Sequence, residues 1–156
     1  MTYLGQKINL GYGWVNIEDD WPAVFDAITI DGFATSAELA SDHRDDTNFI
    51  SRQLIMVDID SGMTIGELFE DNFYNNYGAG FYTTPSHQDH AHRFRIMFRT
   101  ETAIKDPEIM KRLNRSLLRI YSAADIACKD STRIFFGTVQ APIREFRENI
   151  LSDQII

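Results

Sequence analysis

Two acids, Asp58 and Asp60, stand one residue apart at the end of the apolar run Leu54-Ile55-Met56-Val57. An apolar run that closes in turn-prone residues, here Ser61-Gly62, reads as a buried strand. Side chains two apart on a strand point to one face, so both carboxylates would stand side by side. Ionised carboxylates at that spacing repel unless positive charge sits between them. A divalent cation bound by hard oxygen ligands, Mg²⁺ or Mn²⁺, would supply it. Taken alone, the pair reads equally well as a solvated strand end.

Two later clusters carry compatible chemistry. Thr83-Thr84-Pro85-Ser86-His87 is followed by His90, His92, Arg93 and Arg95. Hydroxyls, an imidazole and guanidiniums in one loop can cradle phosphate oxygens, and loops at strand ends are where functional side chains collect. The stretch from Asp125 to Arg133 adds two acids, Asp125 and Asp130, either able to complete a carboxylate trio, and Arg133 within reach of a triphosphate. Each stretch also reads as an ordinary solvated loop. Together the three describe a metal–nucleotide site in which the protein contributes positioning and charge neutralisation.

The elements that must position these residues follow from periodicity. Asp19 to Ile28 starts a helix, with Pro22 in its first turn, Trp21, Val24, Phe25 and Ile28 at helical spacing, and Gly32 beyond its end. Met1 to Trp14 reads as an arm or short strand around Ile8 and Leu10, and Ser36 to Leu39 as a helical turn. Thr64 and Glu67 have capping-box spacing at the head of a helix whose apolar face is Leu68, Phe69, Phe73 and Tyr77. Phe81 to Thr84 and Arg93 to Arg99 read as strands. Pro107 to Tyr121 is the clearest helix, capped by Asp106, with Ile109, Leu113, Leu117 and Ile120 as its stripe and basic residues on the other face. Ile134 to Gly137 reads as a last strand and Ala141 to Ile150 as a terminal helix. This order predicts an α+β, two-layer fold with a mostly antiparallel sheet and helices on one face.

At 156 residues the chain suits one domain with a sizeable core. No apolar run approaches a membrane span and the N-terminus lacks a signal pattern, which predicts a protein with no membrane partner. The single cysteine, Cys128, excludes an intramolecular disulfide and fits a reducing cytoplasm. The net charge of -8 argues against a general nucleic-acid footprint. Its distribution is uneven: acids dominate from Glu18 to Asp60, whereas Arg93 to Arg133 holds Lys105, Lys111, Arg112, Arg115, Arg119 and Lys129 besides the arginines already named.

In their order, these motifs resemble the archaeo-eukaryotic primase superfamily, in particular phage and plasmid primase-polymerase domains. Val57-Asp58-Ile59-Asp60 is similar to the family's D-x-D motif, Tyr82-Thr83-Thr84-Pro85-Ser86-His87 to its hydroxyl-and-His motif, and Asp125 to its further acid. His92-Arg93-Phe94-Arg95-Ile96-Met97-Phe98 and Cys128 to Gly137 resemble the flanking stretches. The resemblance spans Trp21 to Gly137 and implies a core like the RNA-recognition motif. It implies metal-dependent nucleotidyl transfer by a DNA primase or polymerase, with nucleoside triphosphates and a single-stranded DNA template, and a bacterial phage or plasmid setting. By position Asp58, Asp60 and Asp125 would hold Mg²⁺ or Mn²⁺, with Asp130 in reserve. His87 and Ser86 would contact nucleotide phosphates, and Arg93, Arg95 and Arg133 would be phosphate contacts or structural ion pairs. Many relatives carry a helicase or zinc-binding element. This sequence has neither and would be an excised catalytic core, a standalone small protein or one subunit of a larger replicase, with a replicative helicase or other replication protein among its candidate partners. The competing readings are a rolling-circle or relaxase-type nuclease, using His90 and His92 for metal and Tyr121 as nucleophile, and a non-catalytic nucleotide- or partner-binding descendant of the fold.

Overall fold

The computed structural model describes residues 2–5, 13–126 and 130–156. Ile8, Leu10, Cys128 and Lys129 lie outside the described residues.

The architecture is α+β, built on a five-stranded antiparallel sheet. Its strands are β4 (Glu38–Leu39), β5 (Phe49–Ile59), β6 (Gly78–Thr83), β7 (Phe94–Ile104) and β8 (Arg144–Phe146), in the order β4-β5-β7-β6-β8. A smaller antiparallel sheet joins β1 (Thr2–Gly5), β2 (Val15–Ile17) and β3 (Ala34–Ser36) in the order β2-β1-β3. The helices are α1 (Trp21–Thr29), α2 (Ile65–Glu70), α3 (Asn72–Tyr77) and α4 (Pro107–Ile120).

Alternation along β5 and β7 sorts the core onto two faces. Ile55, Val57 and Ile59, with Phe94, Ile96 and Phe98, pack under α2, α3 and α4 through Leu68, Tyr74, Met110, Leu117 and Tyr121. Leu54, Met56 and Met97 point the other way, against Trp21, Val24, Phe25 and Ile28 of α1 and against Phe135. The helices therefore cover both faces of the sheet, not one. The long antiparallel strands are sealed on each side because α1 precedes the sheet and crosses to the face the later helices leave open.

Several expected elements are as read. Asp20 caps α1 by accepting from the Ala23 N–H, and Thr64 and Glu67 form the reciprocal capping box of α2. Asp106 caps α4. Other elements differ. The segment after Thr64 is two helices, because Asp71 ends α2 and caps α3 through the Tyr74 N–H. Ser36 to Leu39 is extended: Glu38 and Leu39 pair with β5, and that pairing overrides the helical preference of Ala, Glu and Leu. Ile134 to Gly137 is no ladder strand. Only Phe135 bridges Thr35, and the chain then runs past the end of α1. Residues 141–150 are not helical: Arg144 to Phe146 form edge strand β8 on β6. On α4 the buried positions are Met110, Asn114 and Leu117, and Ile120 is exposed.

A candidate metal and nucleotide site

The central row of the sheet sets the site. Asp58, Arg95 and Tyr82 are direct cross-strand partners on β5, β7 and β6. All three face the α1 side of the sheet, where Tyr82 joins the core cluster that α1 covers. Side chains so paired lie within contact distance. Arg95 Nε comes 3.3 Å from Asp58 Oδ1, an ion pair without hydrogen-bond alignment, which leaves Oδ1 buried with no donor. The Arg95 guanidinium instead donates to the Tyr82 hydroxyl and, through a short bond, to the Phe136 carbonyl. Tyr82 O–H donates to that same carbonyl at 2.7 Å.

The second strut comes from the far side of β5. At one end of its outer edge β5 pairs with β4, and at the other the residues after α4 lie against it. Ile59 bridges Ala124, and the Asp125 N–H donates to the Asp58 carbonyl at 2.9 Å. The two carboxylates thus come from segments over sixty residues apart, locked by a backbone bond. Asp60 follows the last residue of β5, and Gly62, at φ +80°, turns the chain away. Asp58, Asp60 and Asp125 each offer a carboxylate oxygen, and these oxygens lie within 4.8 Å of one another. Asp58 is buried, Asp125 half-buried and Asp60 exposed.

Such a cluster is electrostatically unsatisfied. Burial holds the Asp58 carboxyl above the ordinary carboxylate range; Arg95 opposes this, and the charges of Asp60 and Asp125 add to it. Three hard oxygen donors, one of them a buried oxygen lacking a hydrogen bond, fit a divalent cation. Beside the trio opens a cleft of about 340 Å³, lined by Asp58, Arg95, Arg44, Asp130, Arg133 and the stretch Ile134 to Phe136. Arg133 Nη2 lies 3.9 Å from Asp125 Oδ2. Carboxylates and guanidiniums side by side, Asp58 with Arg95 and Asp130 with Arg133, suit a metal-bound polyphosphate.

The remaining expected residues fall around this core. Asp130 lines the cleft but stands outside the trio, and its carbonyl accepts from the Arg133 N–H. Ser86 and His87 sit in the loop joining β6 to β7, at the same end of the sheet, but not in the lining of the cleft. His87 Nδ1 accepts the Arg93 N–H at 3.1 Å, so a neutral ring carries its proton on Nε2. Burial, then the neighbouring His92, push its pKa below the usual histidine value. The Arg93 side chain is exposed. Arg44 was not singled out by sequence; it lies in an acidic polar loop whose composition reads as solvated, and nothing local signals that the loop folds over the acids.

The residues of a His-x-His nuclease are otherwise engaged. His92 Nδ1 accepts the Ile65 N–H at the head of α2, its Nε2 meets the Asp89 carbonyl, and His90 is exposed. Tyr121 is buried, its hydroxyl donates to Asp71, and burial with that bond raises its pKa.

The α+β fold is similar to that of a solved primase-polymerase domain. A solved structure of the AEP domain of the cyanophage S-2L primase-polymerase (PrimPol) superposes with a TM-score of 0.53, covering 95% of this chain and 80% of that one at 12% identity. At that identity the likeness is one of fold. No protein-family model matches the chain, and no curated protein matches its sequence.

Proposed function

We propose that the protein is a metal-dependent nucleotidyltransferase of DNA replication, a DNA primase or polymerase that joins nucleoside triphosphates on a single-stranded template. The observation that carries this reading is the convergence of Asp58, Asp60 and Asp125, from two distant segments, beside an arginine-lined cleft. The fold match supports it. The three carboxylates would hold Mg²⁺ or Mn²⁺, and bound there the ions would activate the attacking oxygen and neutralise the leaving pyrophosphate.

Each residue of the chain then has a task. Arg95 balances Asp58 from within the sheet and fixes its rotamer, so the carboxylate is presented in one orientation. Arg133 and Arg44, facing the cleft, bind and orient the polyphosphate. The His87 loop, with Nε2–H free to donate and the Ser86 hydroxyl beside it, would contact the nucleotide from the β6–β7 end of the sheet. The exposed Arg93 meets either phosphate or template. A bacterial phage or plasmid replicon, with a replicative helicase supplying single strand, is the setting that this reading fits.

Purified protein given single-stranded template, labelled nucleotides and Mn²⁺ or Mg²⁺ is expected to make or extend primers. Asp58→Ala and Asp60→Ala should abolish synthesis while the domain still melts cooperatively. Synthesis at undiminished rate by either variant would overturn the proposal.

A further inference from the structure

Apart from Arg93, exposed in the loop before β7, and Arg44, which donates to the Thr132 carbonyl beside the cleft, the arginines of this chain fall into two groups. Arg95, Arg133, Arg144 and Arg147 each pair with a carboxylate, and Arg52 and Arg99 lie over aromatic rings and donate to carbonyls. On α4, Arg112, Arg115 and Arg119 are all exposed, and among the described residues none has a carboxylate within ion-pairing distance. Spaced by three and four residues, they share one face of the helix, over about 10 Å of its length at 1.5 Å per residue. That face is fixed outward because Met110, Asn114 and Leu117 hold the opposite side in the core. The only acid on the helix, Glu108, is taken up by Lys111 at 3.2 Å.

Helix electrostatics accounts for one of the three. Arg119 lies in the last turn, where a cation favours the carbonyl end. Arg112 and Arg115 lie in the middle of the helix, beyond the reach of that effect. A basic face with no counter-charge among the described residues, on a chain of net charge -8, is complementary to an external polyanion. Guanidinium forks match phosphate in particular.

We propose that the outward face of α4 is a binding track for the backbone of single-stranded nucleic acid. The helix leads directly into the residues that place Asp125 beside Asp58. Asp125 is six residues beyond Arg119, so the stripe ends at most about 20 Å from the acid trio by chain length alone. A strand lying on α4 is therefore delivered toward the cleft. Its identity as template rests on the nucleotidyl-transfer reading; the track itself does not.

The test is a salt series of fluorescence anisotropy with labelled oligodeoxythymidine and the full chain. Each phosphate contact to a single strand contributes about 0.7 to the slope of log K against log salt. The Arg112→Gln/Arg115→Gln/Arg119→Gln variant should lose about 2 from that slope, and about 100-fold in affinity at 0.1 M salt. The corresponding triple Lys variant should keep the slope. If the triple Gln variant does not fold, each single Gln change should remove about 0.7. An unchanged slope overturns the track. So does a wild-type chain that binds no strand in low salt, or displacement by poly-glutamate as effective as by oligonucleotide. A reduced slope in a protein that makes no primers leaves the track standing and removes the nucleotidyl-transfer reading. Primer synthesis with an unchanged slope does the reverse.

Discussion

Replacing Asp60 by Asn should leave the metal-free protein at least as stable as wild type and erase its response to Mn²⁺. Asp60 is exposed, makes no ion pair among the described residues, and has two carboxylate oxygens within 4.8 Å. Two unit charges at that separation repel by about 3 kcal/mol at an effective dielectric of about 20. Exposure of Asp60 screens this below about 1 kcal/mol. Neutralising it therefore raises the melting temperature slightly, by under about 3 °C. The same change removes one of three ligands. A cation at one hundred times its Kd stabilises the native state by about 2.7 kcal/mol, or roughly 5–10 °C for a chain of this size. Asp58→Asn is the poorer probe, because it also leaves the Arg95 guanidinium buried without its counter-charge. Thermal unfolding with and without MnCl₂ decides the matter. If Asp60→Asn keeps the full wild-type shift, or melts several degrees lower without metal, the acid trio is not a cation site and its repulsion has been misjudged.

Three further outcomes follow from the geometry. His87 has a native pKa below the ordinary 6.5, so between the two values the unfolded chain binds more protons. Stability should fall as pH drops through about 6.5 and below, and His87→Gln should flatten that slope in denaturant titrations at pH 5 to 8. Arg44→Ala should raise KM for the nucleotide roughly tenfold, as expected for one charge-assisted phosphate contact of about 1.5 kcal/mol, and leave the Mn²⁺ melting shift intact. An unaltered KM would place Arg44 outside the nucleotide site. Gly80 sits at φ +144° in the β6 bulge, where a Cβ would run into the Glu145 carbonyl. Gly80→Ala should cost about 1–3 kcal/mol in backbone strain and loosen β8, read as faster amide exchange at Arg147, whose N–H donates to Ala79.

What the sequence disclosed and what it hid divide along the range of the interactions. The acidic strand, the capping box at Thr64 and the helix from Pro107 depend on neighbours within one or two turns, and all three are legible. The partners of β5 are not. Glu38-Leu39 and Arg144 to Phe146 have helix-friendly compositions, and only pairing with strands far along the chain makes them extended. The trio was legible as three acids of the right type; that Asp125 approaches Asp58 through its own N–H was not. Ile134 to Phe136 looks like a strand because it is apolar, yet its job is to offer a carbonyl to Arg95 and Tyr82. Arg44 was hidden for the opposite reason, since a charged loop carries no periodicity from which its direction can be read.

The Phe136 carbonyl ties together parts of the molecule that no ladder joins. The chain from Phe135 to Ala141 is bonded through its backbone to Ile28, Thr29, Ile30 and Thr35, on α1 and the smaller sheet. Its link to the five-stranded sheet at the cleft is made by side chains: Arg95 and Tyr82 on the Phe136 carbonyl, and Arg52 over the Phe135 ring. The two walls of the cleft are thus joined by side chains, the Arg95 and Tyr82 clasp and the packing of Phe135 against the sheet, and the gap between them is set by side-chain reach. Loosening that clasp would let one wall breathe without unzipping a strand, so amides near Phe135 should exchange with solvent before those of β5 and β7.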